Sequence, residues 1–142
     1  MAYWIKIDYE RSKYLIDLDR ITAFSCQSNK RLTFWLPNSS QPIILHKQSC
    51  EYEYQLVLEY IKDKIEINYL PNDEFWVQIM YDRHEWFINL NCISTFAFEP
   101  NGRITFWLPD STKDIIISPN IDPEAYKKVV EFITTVTGYP LP

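Results

Sequence analysis

Glycine is almost missing. Of 142 residues, only Gly102 and Gly138 are glycine. That scarcity excludes a Gly-rich phosphate loop and a dinucleotide-binding turn, which need backbone that approaches a ligand without a Cβ in the way. No G-x-S-x-G or H-E-x-x-H motif occurs, so the common hydrolase and metalloprotease constellations are absent. The three cysteines, Cys26, Cys50 and Cys92, form no CxxC and no paired spacing, which argues against a zinc cluster or a disulfide framework. They read as core fillers or incidental thiols. No apolar run approaches the roughly 18 residues that a membrane helix needs. With no signal-peptide pattern, a reduced cytoplasmic compartment without membrane association is the expected location. No cofactor or metal is implied.

Charge of one sign is also in short supply, but unevenly. Residues 1–70 hold nine Lys/Arg against nine Asp/Glu, whereas residues 71–142 hold five against ten, which accounts for the net charge of −5. An acidic balance disfavours a protein that wraps nucleic acid over its whole surface. It leaves room for a local basic patch on the first half, around Lys13, Arg20, Lys30 and Lys47.

What the chain does have is itself, twice. Shifted by 72 residues, Trp4–Ile61 falls on Trp76–Ile133 without a gap, with 22 identities in 58 positions. Unrelated chains of ordinary composition would give about 4. The identities include Trp4/Trp76, Tyr9/Tyr81, Arg11/Arg83, Phe24/Phe96, Arg31/Arg103 and the run Thr33–Pro37 over Thr105–Pro109. A period of this kind marks a repeated structural unit. The reading is a tandem duplicate, with units 1–70 and 71–142. Each unit is marginal in size for an independent core. The junction Lys64–Asn72 carries apolar residues rather than a Gly/Ser linker, which predicts one compact fold.

Within a unit the periodicity changes once. Tyr3, Ile5, Ile7 and Tyr9 alternate with polar positions, as a half-buried strand does. A polar tip, Glu10–Lys13 or Asp82–Glu85, leads to Tyr14–Leu18 or Trp86–Leu90. Strands over Ile21–Cys26 and Leu32–Leu36 flank a turn at Asn29-Lys30. Their counterparts, Ile93–Phe98 and Ile104–Leu108, flank Asn101-Gly102, a strong hairpin signal. Pro37 and Pro109 stop the returning strands, and a short strand follows at Ile43–Leu45 or Ile115–Ile117. Then Tyr54, Val57, Leu58 and Ile61, and again Tyr126, Val129, Val130 and Ile133, recur at helical spacing. Asp122-Pro123 supplies an N-cap and a first-turn proline, and Gly138 and Pro140 a stop. The expected fold class is α+β: in each unit an antiparallel sheet of about five short strands plus one C-terminal helix, related by a pseudo-twofold axis, with the units joining sheets edge to edge or exchanging helices.

The functional candidates are residues kept in both copies that folding does not demand. Trp4 and Trp35, and likewise Trp76 and Trp107, fall on strand faces opposite an apolar stripe. They are buried by the sister copy or another subunit, or else form an aromatic ligand surface. Tyr9, Tyr81, Arg11, Arg83, Arg31 and Arg103 lie at or beside hairpin turns, as solvated arginines with packed stems or as anion contacts. Neither His46 nor His84 recurs, and each reads as a surface residue rather than a base. The Asp17/Asn89 and Asp19/Asn91 pairs lose their carboxylates, against a symmetric acid–base site.

These observations favour a non-enzymatic interaction or regulatory domain that pairs as a homodimer or with another protein. Aromatics beside arginine also suit single-stranded nucleic acid, and a sheet of four or five strands followed by a helix, in pseudo-twofold pairs, is similar at the fold level to the Whirly-type single-stranded DNA-binding regulators. That likeness rests on no sequence motif and implies a fold rather than a function. A small-molecule site between the halves is the third alternative.

Overall fold

The computed structural model describes residues 2–37, 39, 41–66 and 75–139. Most of the junction between the halves, the loop positions Asn38 and Ser40, and Pro140 lie outside them. The elements are β1 (Trp4–Tyr9), β2 (Ser12–Asp17), β3 (Ala23–Cys26), β4 (Arg31–Trp35), β5 (Pro42–His46) and α1 (Glu51–Glu66). The same order follows as β6 (Trp76–Tyr81), β7 (His84–Asn89), β8 (Phe96–Phe98), β9 (Ile104–Trp107), β10 (Asp114–Ile117) and α2 (Pro123–Thr137). The chain is α+β with antiparallel sheets.

The polar tips are tighter than their composition suggests. Tyr9 pairs with Ser12 and Tyr81 with His84, so only Glu10-Arg11 and Asp82-Arg83 are left in the turns. All four have positive φ, from 48° to 69°, as a type I′ hairpin turn requires. Neither turn contains Asn or Gly, so nothing in the residue types announced it. After each hairpin a single 3-10 turn bends the chain, at Leu18–Arg20 and Leu90–Cys92. The exchanged pair Asp17/Asn89 does one job in both halves. Asp17 Oδ1 accepts from Asp19 N at 3.0 Å and Tyr3 N at 2.9 Å. Asn89 Oδ1 accepts from Asn91 N at 3.1 Å and Phe75 N at 3.4 Å. A carbonyl oxygen serves as well as a carboxylate here, because the partners are backbone N–H groups.

Strand grouping departs from the expected one sheet per unit. Among the described residues there are three sheets: β1-β2, then β5-β4-β3-β7-β6, then β10-β9-β8. The 3-10 turn after β2 and after β7 breaks the strand direction, so each hairpin leaves the plane of the strands that follow it. The five-stranded sheet is therefore built from both halves, joined where β3 meets β7 with Ala23 opposite Ile88, Phe24 opposite Phe87, Ser25 opposite Trp86 and Cys26 opposite Glu85. The expected pseudo-twofold is corrected by the same joint. A twofold would also pair β8 with β2, and among the described residues β2 pairs only with β1 and β8 only with β9.

Each face of the central sheet closes one core. The first contains Ile5, Ile7, Leu18, Phe24, Phe34, Val57, Tyr60 and Ile61, and takes Trp76 and Phe87 from the second half. The second contains Val77, Ile79, Trp86, Ile88, Phe106, Val129, Phe132 and Ile133, and takes Ala23 from the first half, with Trp35 packed at its margin. Side-chain alternation along β3, β6 and β7 feeds both cores at once. The helices dock as their spacing predicts, with Tyr54, Val57, Ile61, Val129 and Ile133 buried and Leu58, Tyr126 and Val130 partly so. Asp122 caps α2 by accepting from Ala125 N at 3.2 Å, and Gly138 ends it at φ 77°.

Candidate interaction surface

The β3–β7 joint accounts for half of the tryptophan candidates. Trp76 lies 5.9 Å from Phe24 and 6.3 Å from Tyr60, centroid to centroid, on the first-core face. On the opposite face Trp35 stacks on Trp86 at 5.7 Å with the rings 10° from parallel. Offset ring pairs of this kind add about 0.5–1.5 kcal/mol beyond the area they bury. Thr22 Oγ1 donates to Asp110 Oδ2 at 3.2 Å, tying the start of β3 to the loop after β9.

His84 is not the free surface residue expected. Its Nδ1 lies 3.1 Å from Ser25 Oγ and its Nε2 lies 2.8 Å from Gln27 Nε2. In the tautomer that satisfies both, the Gln27 amide donates to Nε2 and Nδ1–H donates to Ser25. The ring clamps the joint, with a hydrogen-bond partner at each nitrogen. Cys26, at the end of the joint, has its thiol pushed up to about 12 by burial and then by Glu85. It is a packing group, since the thiolate is the reactive form.

The other Trp candidates are exposed. Trp4, the counterpart of Trp76, is 61% accessible against 7%, and Trp107, the counterpart of Trp35, is 47% accessible. Two residues that sequence reasoning passed over join them: Leu15 at 72%, opposite Phe87 in the repeat at 7%, and Phe98 at 39%. The signal that would have found them is the edge position of β2 and β8, which no side-chain pattern encodes. Trp4 also lines an open groove of about 670 Å³ with Tyr3, Lys6, Asp8, Tyr52 and Leu56.

The polar candidates do not converge. Arg11 and Arg83 are exposed at the two positive-φ hairpin tips. Arg31 is half-buried across from His46, with Nε buried and without a hydrogen-bond partner among the described residues. Arg103 Nη2 is 3.2 Å from Glu99 Oε2, so its charge already has a carboxylate. Tyr9 packs 6.4 Å from Tyr14. Tyr81 is half-buried, its phenol raised by burial and then by Asp114 and Asp82. The crevice between the halves, bounded by Thr22, Ala23, Trp35, Leu108, Asp110 and Ser111, has a volume of about 10 Å³. That is room for one water at most. No group of three or more His, Cys, Asp or Glu among the described residues could hold a metal ion, and no helix among them is long and apolar enough to cross a membrane.

No family model and no curated protein matches the chain. Among solved structures it is similar to the LytTr DNA-binding domain of a Bacillus cereus response regulator, at a TM-score of 0.47 and 10% identity, covering 96% of this chain and 97% of that one. The DNA-binding description belongs to that protein, and so loose a superposition carries no argument for this chain.

Proposed function

We propose that this chain is a non-enzymatic interaction domain, built from duplicated units 1–70 and 71–142, that engages a protein partner by adding a strand to an open sheet edge. The observation that carries the reading is the exposure of Trp4 and Leu15 on the β1–β2 hairpin and of Phe98 and Trp107 on β8 and β9, beside edges of β2 and β8 that have no partner strand among the described residues. Natural edge strands are blunted by charge, proline or a covering element. β8 is Phe-Ala-Phe, with no charge or proline in it. Large exposed apolar patches on a folded domain mark interaction sites, and edge addition draws affinity from backbone hydrogen bonds and specificity from alternate side chains.

The test is selection of displayed peptides on the immobilised wild-type chain, with a Leu15→Lys/Trp107→Ser variant as the counter-selector. Extended apolar peptides that bind the wild type and not the variant are expected. If the variant captures the same peptides, the surface is wrong. If poly-pyrimidine single strands instead quench Trp4 and Trp107 fluorescence in a salt-sensitive way, the nucleic-acid function replaces this one.

A further inference from the structure

We infer that the partner is a second copy of this chain, with β8 of one copy pairing antiparallel to β2 of the next and repeating between chains the joint that β3 and β7 make within one. This rests on the reading of the open edges as an interaction surface, and it names the occupant. β3 and β8 are counterparts in the repeat, as are β7 and β2, because the elements recur at an offset of 72 residues. The internal joint therefore consumes one β3-type edge and one β7-type edge. One edge of each type is left over, and they are complementary to each other rather than to themselves.

The register follows by subtraction and addition of the same offset. Ala23/Ile88, Phe24/Phe87, Ser25/Trp86 and Cys26/Glu85 become Thr95/Ile16, Phe96/Leu15, Ala97/Tyr14 and Phe98/Lys13. Leu15, Trp4 and Trp107 then acquire the environments their counterparts already have. Leu15 takes the place of Phe87, and Trp4 that of Trp76. The counterparts of the rings around Trp76, Phe24 and Tyr60, are Phe96 and Phe132. These already pack together at 6.2 Å in the second half, as Phe24 and Tyr60 do at 6.0 Å in the first. Trp107 would stack on Tyr14 as Trp35 stacks on Trp86. The face is continuous in kind with an interface the molecule already forms. An unrelated partner would have no reason to match the pattern residue by residue.

Such a contact is heterologous. It closes into a ring if the rotation per chain allows and otherwise propagates head to tail. That property gives a specific test. Asn89 N donates to Thr22 O at 2.9 Å, so 22/89 is a hydrogen-bonded pair and, by alternation, 25/86 is a non-hydrogen-bonded one. In such pairs Cα atoms are about 4.5 Å apart, which suits a disulfide. In a Cys26→Ala/Cys50→Ser/Cys92→Ser background, Tyr14→Cys and Ala97→Cys proteins are mixed under mild oxidation. Covalent dimer is expected in the mixture and not in either protein alone. A mixture of Leu15→Cys with Ala97→Cys, one residue out of register, should link far less.

Without any cysteine change, wild-type chain should sediment above monomer mass at about 0.1 mM, well above a micromolar Kd. Leu15→Lys should return it to monomer, with a thermal midpoint equal to that of the wild type at low protein concentration, where both are monomeric. The inference is overturned if the wild type is monomeric at that concentration, if Tyr14→Cys links to itself as well as to Ala97→Cys, or if Leu15→Lys still assembles. If self-assembly fails while peptides are still captured in a Leu15-dependent way, only the identity of the partner is wrong. If both fail, the interaction function falls with it.

Discussion

Phe87 and Leu15, 72 residues apart, occupy the same place in two hairpins of the same register and live in opposite environments. Phe87 is 7% accessible in the central sheet and Leu15 is 72% accessible on an open edge. Trp76 and Trp4 differ in the same way. Local sequence does not cause the difference, since both hairpins share register, turn type and the following 3-10 turn. Position in the chain does: the second hairpin has a β3 to lie against, and among the described residues the first has no such strand. A buried aromatic at a repeat position therefore reports the neighbour, and its exposed twin reports the neighbour's absence. The largest expected effect breaks this comparison at its closed end. Phe87→Ala should cost about 3–5 kcal/mol, while Leu15→Ala should stay within about 0.5 kcal/mol of wild type for the isolated chain. Urea unfolding of both variants at low protein concentration measures it. Equal losses would mean that the two hairpins are packed alike.

The cores away from the joint should show the opposite, near equality between halves. Val57 and Val129 are counterparts, both fully buried, one on α1 and one on α2. Val57→Ala and Val129→Ala should each cost about 1–3 kcal/mol, from lost transfer energy and the cavity left behind. A loss confined to one of the two would show that one helix is not docked as its counterpart is.

The sequence carried the elements and lost the connections between them. Alternation in Trp4–Tyr9 and the helical spacing of Val57 and Ile61 are local signals, and both elements stand where that spacing puts them. Which strand lies beside which is decided by non-local pairing, and β3 against β7 has no signature in either strand. The I′ turns at Arg11 and Arg83 were hidden because neither uses the Asn or Gly that usually marks positive φ. The surface was half legible. The kept tryptophans were visible, but only the sheet order separates Trp76 and Trp35, which the joint consumes, from Trp4 and Trp107, which it does not. The arginines kept beside them have no common site, and nothing in the structure explains why Arg holds both hairpin tips.

Asp17 sharpens the comparison at the level of a single acceptor. It is buried and takes two backbone N–H groups, as Asn89 does. Its contact with Arg20, at 3.5 Å, involves a largely exposed guanidinium and adds little. Asp17→Asn should be close to neutral. Asp17→Ala, which leaves both donors unpaired, should cost about 1–2 kcal/mol. If Asp17→Asn loses as much as Asp17→Ala, charge rather than acceptor geometry holds the bend, and the two halves are not equivalent there.

The smallest effect concerns the turn between the third and fourth strands of each unit. Lys30 sits at φ 64° where its counterpart Gly102 sits at φ 89°. The backbone is closed alike, with Lys30 N donating to Gln27 O at 3.1 Å and Gly102 N to Glu99 O at 3.0 Å. Space is not the issue, since a Cβ at Gly102 would meet nothing closer than Pro119 Cγ at 4.0 Å. Two opposed terms remain. A left-handed non-glycine residue costs about 1–2 kcal/mol, and glycine loses about 0.5–1 kcal/mol more backbone entropy on folding. The strain term is the larger, so Lys30→Gly should stabilise the chain by about 0.5 kcal/mol and Gly102→Lys should destabilise it by a similar amount. Paired urea titrations of the two variants decide it. A destabilised Lys30→Gly would mean that unfolded-state entropy dominates at this turn, so that lysine there is a gain for the first half rather than a strained substitute for glycine.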